Sequence, residues 1–277
     1  MKNKMKKVLG WEVKVLPVQI KGKSDVLNKA LVRSDDESLI GIRGKYYHPV
    51  FNKDLELLKK KILKSGHFNF KGYEEFQNGK RILAFFENRS KNLKICDQPV
   101  KDYLIIGNSN DGTSKLFIGT SNFMFRCQNQ FSEKIRSFER RHDRPFNIKE
   151  VQIDEIISSY EMGRNKLYSK MDKLRSVPAN MELIEHLVFE VLFSRRPDDL
   201  RESLNDTERK QIALMIQCIK SEIKDLGVNL WGVFNGVTRY TSNHFKVNPG
   251  FGVVNGRGEH LNRRAMNHLI RLSQPKY

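Results

Sequence analysis

The spacing of apolar residues changes near position 128, and no fold of a single class accommodates both halves of that pattern. Up to Cys127 the apolar residues come in short runs, WEVKVLPV, KALVRS, SLIGIRG, FKGYEEF and RILAFFE, broken by turn residues. Side chains alternate across a strand, so these runs predict a sheet. GYEEF and RILAFFE are joined by Gln77-Asn78-Gly79-Lys80, whose Asn-Gly pair supplies the positive φ that a tight hairpin needs. Residues 103–106 and 115–119 flank NSNDGTS, where Asp111-Gly112 is a second favoured turn. One helix, residues 52–64, interrupts the sheet: Leu55, Leu57, Leu58, Ile62 and Leu63 form a broad apolar stripe that predicts packing on a sheet face.

Beyond residue 128 the period becomes helical, with segments at 129–141, 148–174, 180–193, 206–226, 230–241 and 258–272. Pro145, Pro178, Pro197 and Pro249 fall between them, where a missing backbone donor does least harm. Asn205 or Asp206 caps the start of the fourth segment and Gly227 ends it. The expected class is α+β: a mostly antiparallel N-terminal sheet with hairpins and one packed helix, then a helical C-terminal half. Residues 1–127 and 128–277 are expected to form one integrated domain.

Fifty Lys and Arg against thirty-two Asp and Glu leave a formal charge of +18, which favours a polyanionic partner, nucleic acid first. The Lys-rich start, MKNKMKK, is followed by Gly10 and a strand-like run instead of an apolar segment of signal or spanning length. No membrane partner is expected, and the location expected is the cytoplasm. Cys96, Cys127 and Cys218 are odd in number and far apart, which suits reduced thiols and offers neither a metal-ligand spacing nor a disulfide framework. No cofactor is expected.

Only clustering turns charge into a site. Arg126, Lys134, Arg136, Arg140, Arg141, His142 and Arg144 crowd one stretch, and a helix there would set Arg136 and Arg140 on one face, a repulsion that a bound polyanion relieves. The alternative is a solvated face tied by Glu133 and Glu139. A second basic region holds Arg239, Lys246, Arg257, Arg263 and Arg264 around the Gly-rich NPGFGVVNGRGEH. In NSNDGTS, the backbone at Asp111 and Gly112 with the hydroxyls of Ser109, Thr113 and Ser114 could cradle a phosphate, or be a plain hairpin. Tyr46 and Tyr47, beside Arg43 and Lys45, are candidates for base stacking, whereas Phe123 and Phe125 read better as core. In LWGVFNGVTRYTSNH the stripe Leu230, Val233, Phe234 and Val237 reads as core, Gly232 and Gly236 admit a close neighbour, and Asn235 could hold a backbone or a base. Asp35, Asp36 and Glu37 form the one acidic run, with no second cluster at a telling distance. No nucleophile elbow or HExxH spacing occurs, so no catalytic residue is assigned.

The ordered set WEVKVLPV, ALVRSDDESLIGIRGKYYHPVFNKDLELL, FQNGKRILAFF, NSNDGTS, FRCQNQ, RRHD and LWGVFNGVTRYTSNH resembles the phage/plasmid-like protein family, domain of unknown function 932. Asn110 stands where that family often has His, and Gln130 where Thr commonly follows Asn, so a catalytic His at the turn is absent. The resemblance implies a mobile-element protein of a phage or plasmid, in the host cytoplasm if phage-encoded, with a suspected role in DNA metabolism. The expectation is a nucleic-acid-binding protein, on single-stranded DNA, promoting strand annealing in recombination or replication as a homo-oligomer. The alternatives are a metal-dependent nuclease or nucleotide-modifying enzyme using Asp35, Asp36 or Asp111, and a host-defence antagonist that meets an acidic protein.

Overall fold

The computed structural model describes residues 5–18, 28–90, 94–95, 98–124, 130–194, 204–244 and 256–274, the side chains within 94–100, 120–124 and 130–137 excepted. The class is α+β, with an N-terminal antiparallel sheet region and helices gathered mainly in the C-terminal half. Two compact units divide the chain: residues 1–91, 102–120 and 134–162 form one, and residues 92–101, 121–133 and 163–277 the other. Among the described residues no helix is long and apolar enough to cross a membrane.

In the first unit β1 (Val13–Val18), β2 (Asn28–Arg33) and β3 (Leu39–Gly44) make an antiparallel sheet in that order, with Lys29 opposite Arg43 and Leu31 opposite Gly41. Helix α1 (Asn52–Lys64) follows. Its start is held by Glu12, whose carboxylate accepts from Asn52 N at 2.8 Å and Lys53 N at 2.9 Å, an anion at the positive end of the helix. Of the predicted stripe, Leu55, Leu58 and Ile62 are buried in one core with Leu31, Ile40, Phe68, Tyr73, Ile82 and Leu104, Leu63 packs against it partly buried, and Leu57 is exposed, contrary to the expectation.

The larger sheet contains β4 (Phe68–Phe76), β5 (Arg81–Asn88), β6 (Lys94–Ile95), β7 (Gln98–Ser109), β8 (Leu116–Met124) and β9 (Gln130–Arg140) in the order β4-β5-β7-β8-β9, with β6 beside β7. Both expected hairpins are present. In the first, Gln77, Asn78 and Gly79 carry φ of 51°, 55° and 80°. The segment 129–141 overturns the helical expectation, because residues 130–140 are a strand. Ile135 and Phe138 are three apart and mimic a helical stripe, but aromatic and β-branched residues also suit a strand, and pairing with β8 decides the outcome. Arg136 and Arg140 therefore stand roughly 13 Å apart along a strand and not one helical turn apart.

Helix α2 (Ile153–Ser176) contributes residues to both units. The second unit continues with α3 (Met181–Phe193), α4 (Asp206–Leu226), α5 (Leu230–Asn243) and α6 (Arg257–Leu272). Asn205 and Glu208 close a reciprocal cap on α4, each side chain accepting the other's backbone N–H at 2.9 Å. Leu230, Val233, Phe234 and Val237 are core, as their spacing predicts. Gly232 and Gly236 let α5 lie against α4: a Cβ at 236 would overlap the backbone of Ile219.

Candidate nucleic-acid interface

The 109–114 loop between β7 and β8 is built from inward-facing polar groups. Asn108, Ser109, Asn110 and Asp111 are all buried, where an unpaired polar group is costly. Asp111 Oδ1 accepts from Ser109 Oγ at 2.8 Å, Thr113 Oγ1 at 2.7 Å and Thr113 N at 3.1 Å, while Ser109 Oγ accepts from Ser114 N at 3.0 Å. Asn110 ties the loop to the first hairpin: its backbone N–H donates to Lys80 O at 2.7 Å and its Nδ2 to Gly79 O at 2.9 Å. Asn108 Nδ2 donates to Val50 O and Asn110 Oδ1. Asn110 is thus a structural amide, and of the groups expected to cradle a phosphate the Asp111 carboxylate takes the Ser109 and Thr113 hydroxyls and Thr113 N–H, while Ser109 Oγ takes Ser114 N–H. Gly112 has φ +65°, and a Cβ there would lie 2.6 Å from the Tyr47 ring and 2.8 Å from Arg43 Nε.

Tyr47 and His142 brace this loop. The Tyr47 hydroxyl lies 3.3 Å from both Ser109 O and Asn110 O, and its ring stacks on His142 with centroids 5.2 Å apart. Burial pushes the phenol well above its ordinary pKa; Arg43 opposes and Asp111 adds to the rise. His142 is only 9% exposed. Its Nε2 lies 3.2 Å from Ser114 O, a pure acceptor, so Nε2 carries the proton; Nδ1 is buried without a partner. Burial lowers its pKa, against the backbone of His48 and Ser114, which acts to raise it. Both side chains, expected to stack on a base and to hold a phosphate, are engaged inside the fold by these contacts. Tyr46, in contrast, is 74% exposed.

Three strands deliver cations to this loop. Lys29 on β2 donates from Nζ to Tyr47 O at 3.0 Å, Arg43 on β3 donates from Nε to Asp111 O, and Arg81 at the start of β5 reaches Thr113 Oγ1 from Nε and Nη2 at 3.3 Å each. Lys29 and Arg43 are directly opposite in register, and like charges so placed are destabilising. Among the described residues neither has a carboxylate partner, nor do Lys45, Lys80 and Arg141. Lys80 supplies the carbonyl that holds Asn110, and Arg141 adjoins His142. Asp111, whose backbone carbonyl Arg43 meets, spends its Oδ1 on the loop itself. Lys29, Arg43, Lys80 and Arg81 were not singled out from the sequence, since their convergence depends on strand pairing.

The cations expected from the sequence fare differently. Arg140 donates to the carbonyls of Arg144 and Pro145 and lies 3.6 Å from Glu150, which also pairs with Arg144 at 3.2 Å. Arg141 is exposed. Glu139 pairs with Lys115 at 2.9 Å. In the second unit Arg239 meets Glu222 at 3.0 Å, Arg263 meets His260 Nδ1 at 2.7 Å and Glu259 at 3.7 Å, and Arg264 donates to the last carbonyls of α3, Glu190 O and Val191 O. Arg257 opens α6. Arg126, Lys246, Phe125 and the side chains of Phe123, Lys134 and Arg136 lie outside the described residues. Asn235 Nδ2 donates within its own helix to Trp231 O.

The acidic run is also tied. Asp35 chelates Arg33 at 2.7 and 2.9 Å, a hydrogen bond that holds its carboxyl below the ordinary range; Asp36 accepts from Ser38 N, and Glu37 lies 3.8 Å from Lys14. Among the described residues no three His, Cys, Asp or Glu are grouped to hold a metal.

Fold and site together define an α+β protein that carries a basic surface around a closed polar loop. The chain belongs to the domain of unknown function family DUF932, whose family model matches residues 39–267. That span starts at β3 and takes in the 109–114 loop, His142 and α5. No curated protein and no solved structure matches the chain.

Proposed function

We propose that this protein binds nucleic acid by its sugar-phosphate backbone, on the surface made by Lys29, Arg43 and Arg81 with Lys45, Lys80 and Arg141. The observation that carries this reading is the like-charged pair Lys29 and Arg43, set opposite one another without a carboxylate partner among the described residues. Each donates to a backbone carbonyl, which fixes its direction and, among the described residues, leaves its charge without a carboxylate. A phosphate beside both converts their repulsion into attraction, and the guanidinium of Arg43 keeps its terminal nitrogens for a bidentate grip. A net charge of +18 favours a polymeric anion over a small one.

A strand held by its backbone leaves most bases free to pair. Annealing of single-stranded DNA in phage or plasmid recombination or replication, with several protomers along one strand in the host cytoplasm, is the role this binding would serve. The test is filter retention of labelled oligonucleotides by nuclease-treated protein across a salt series. Affinity should fall with a log–log slope of about −0.7 for each phosphate neutralised on a single strand. Weak retention that ignores salt would refute the reading.

A further inference from the structure

Residues 44–47 form a turn closed by Tyr47 N donating to Gly44 O at 3.0 Å, with Lys45 and Tyr46 at its tip. Both ends of this turn are fixed. On one side β3 pairs with β2 through Gly44 opposite Asn28, and on the other Tyr47 is pinned by its stack on His142 and its hydroxyl contact with the loop carbonyls. Two adjacent tyrosines therefore do different work: Tyr47 is spent inside, whereas Tyr46 is held out on the tip, 74% exposed. Lys45 Nζ sits 4.9 Å from the Tyr46 ring centroid, a cation–π contact.

We infer that Tyr46 is a base-stacking platform and that it makes the site selective for single strands. The inference rests on the nucleic-acid reading and names its substrate class. An exposed aromatic ring on a turn held at both ends loses less conformational freedom when it stacks, so more of its contact area becomes affinity. Arg43 lies on β3, which leads into this turn, and Lys29 on β2 beside it, and neither has a carboxylate partner among the described residues, so a backbone gripped there brings its bases alongside the ring. In a duplex the base faces are already stacked on each other, and Tyr46 has nothing to receive; an unpaired base offers a free face.

The experiment compares the full chain with Tyr46→Phe and Tyr46→Ala by fluorescence anisotropy at one salt concentration. The probes are a labelled thymidine oligonucleotide, an abasic oligonucleotide of the same length, and a duplex. Wild type should prefer the thymidine strand to both others, Tyr46→Phe should keep that preference, and Tyr46→Ala should weaken only thymidine-strand binding, by roughly 5- to 150-fold. Equal binding to the three probes, no loss in Tyr46→Ala, or an equal loss on the abasic strand would each overturn the inference while leaving backbone binding intact. No salt-dependent binding of any probe by wild type would overturn the nucleic-acid reading itself.

Discussion

Replacing Lys29 with Met separates a binding role from a structural one. In the folded protein Lys29 contributes one hydrogen bond, Nζ to Tyr47 O at 3.0 Å, and suffers the opposed charge of Arg43 across the β2–β3 ladder. Losing a part-exposed hydrogen bond of this kind costs about 0.5 to 1 kcal/mol. Removing a directly opposed like charge returns about 0.2 to 1 kcal/mol, and Met keeps most of the aliphatic stem. The two terms nearly cancel, so urea denaturation should place Lys29→Met within about 0.5 kcal/mol of wild type. Binding has no such cancellation. Deleting one phosphate contact should make the salt slope for a single strand shallower by about 0.7 and lower affinity roughly fivefold at 0.1 M salt. A variant that loses more than about 1.5 kcal/mol of stability yet keeps the wild-type slope would refute the reasoning, because Lys29 would then be a structural residue.

Other perturbations test the scaffold. Gly163 lies inside α2 with nothing within 4 Å of a Cβ built there, so Gly163→Ala should stabilise by about 0.5 to 1 kcal/mol in urea denaturation. Gly236→Ala should destabilise by about 1 to 2 kcal/mol, because a Cβ clashing with the Ile219 backbone outweighs the gain in helix propensity, and the same measurement checks it. Burial lowers the His142 pKa, so the unfolded chain takes up that proton first as pH falls. The contribution of neutral His142 is complete above the ordinary histidine pKa of 6.5 and declines as pH drops through it, then levels off below the folded-state pKa. The stability gap between wild type and His142→Gln, from urea midpoints, should therefore narrow between pH 7.5 and pH 5.5; a constant gap would show that His142 does not titrate differently on folding.

Hairpins, α1 and the cap of α4 were legible because each is decided by neighbouring residues. Asn78 and Gly79 take the positive φ angles that their types permit, and Asn205 with Glu208 closes its cap over three residues. β9 was not legible, since Ile135 and Phe138 fit either period and the choice was made by a strand elsewhere in the sequence. The site divides in the same way. Tyr46 and the 109–114 loop could be picked out as local motifs, but the Arg43 contact with the Asp111 carbonyl and the stack of His142 on Tyr47 reach across long stretches of chain. Counting charges along the sequence selected Arg140 and Arg144, which Glu150 and backbone carbonyls engage. It passed over Lys29 and Arg43, whose opposition exists only once β2 and β3 pair.

The most direct measurement is lysine acetylation footprinting of the full chain with and without a saturating single-stranded oligonucleotide, read by mass spectrometry. Lys29, Lys45 and Lys80 should become protected, while Lys14 and Lys71, which face Glu37 and Glu87, should acetylate at unchanged rates. Protection spread evenly over the surface lysines, or confined to sites away from Lys29, Lys45 and Lys80, would contradict a backbone track around the 109–114 loop.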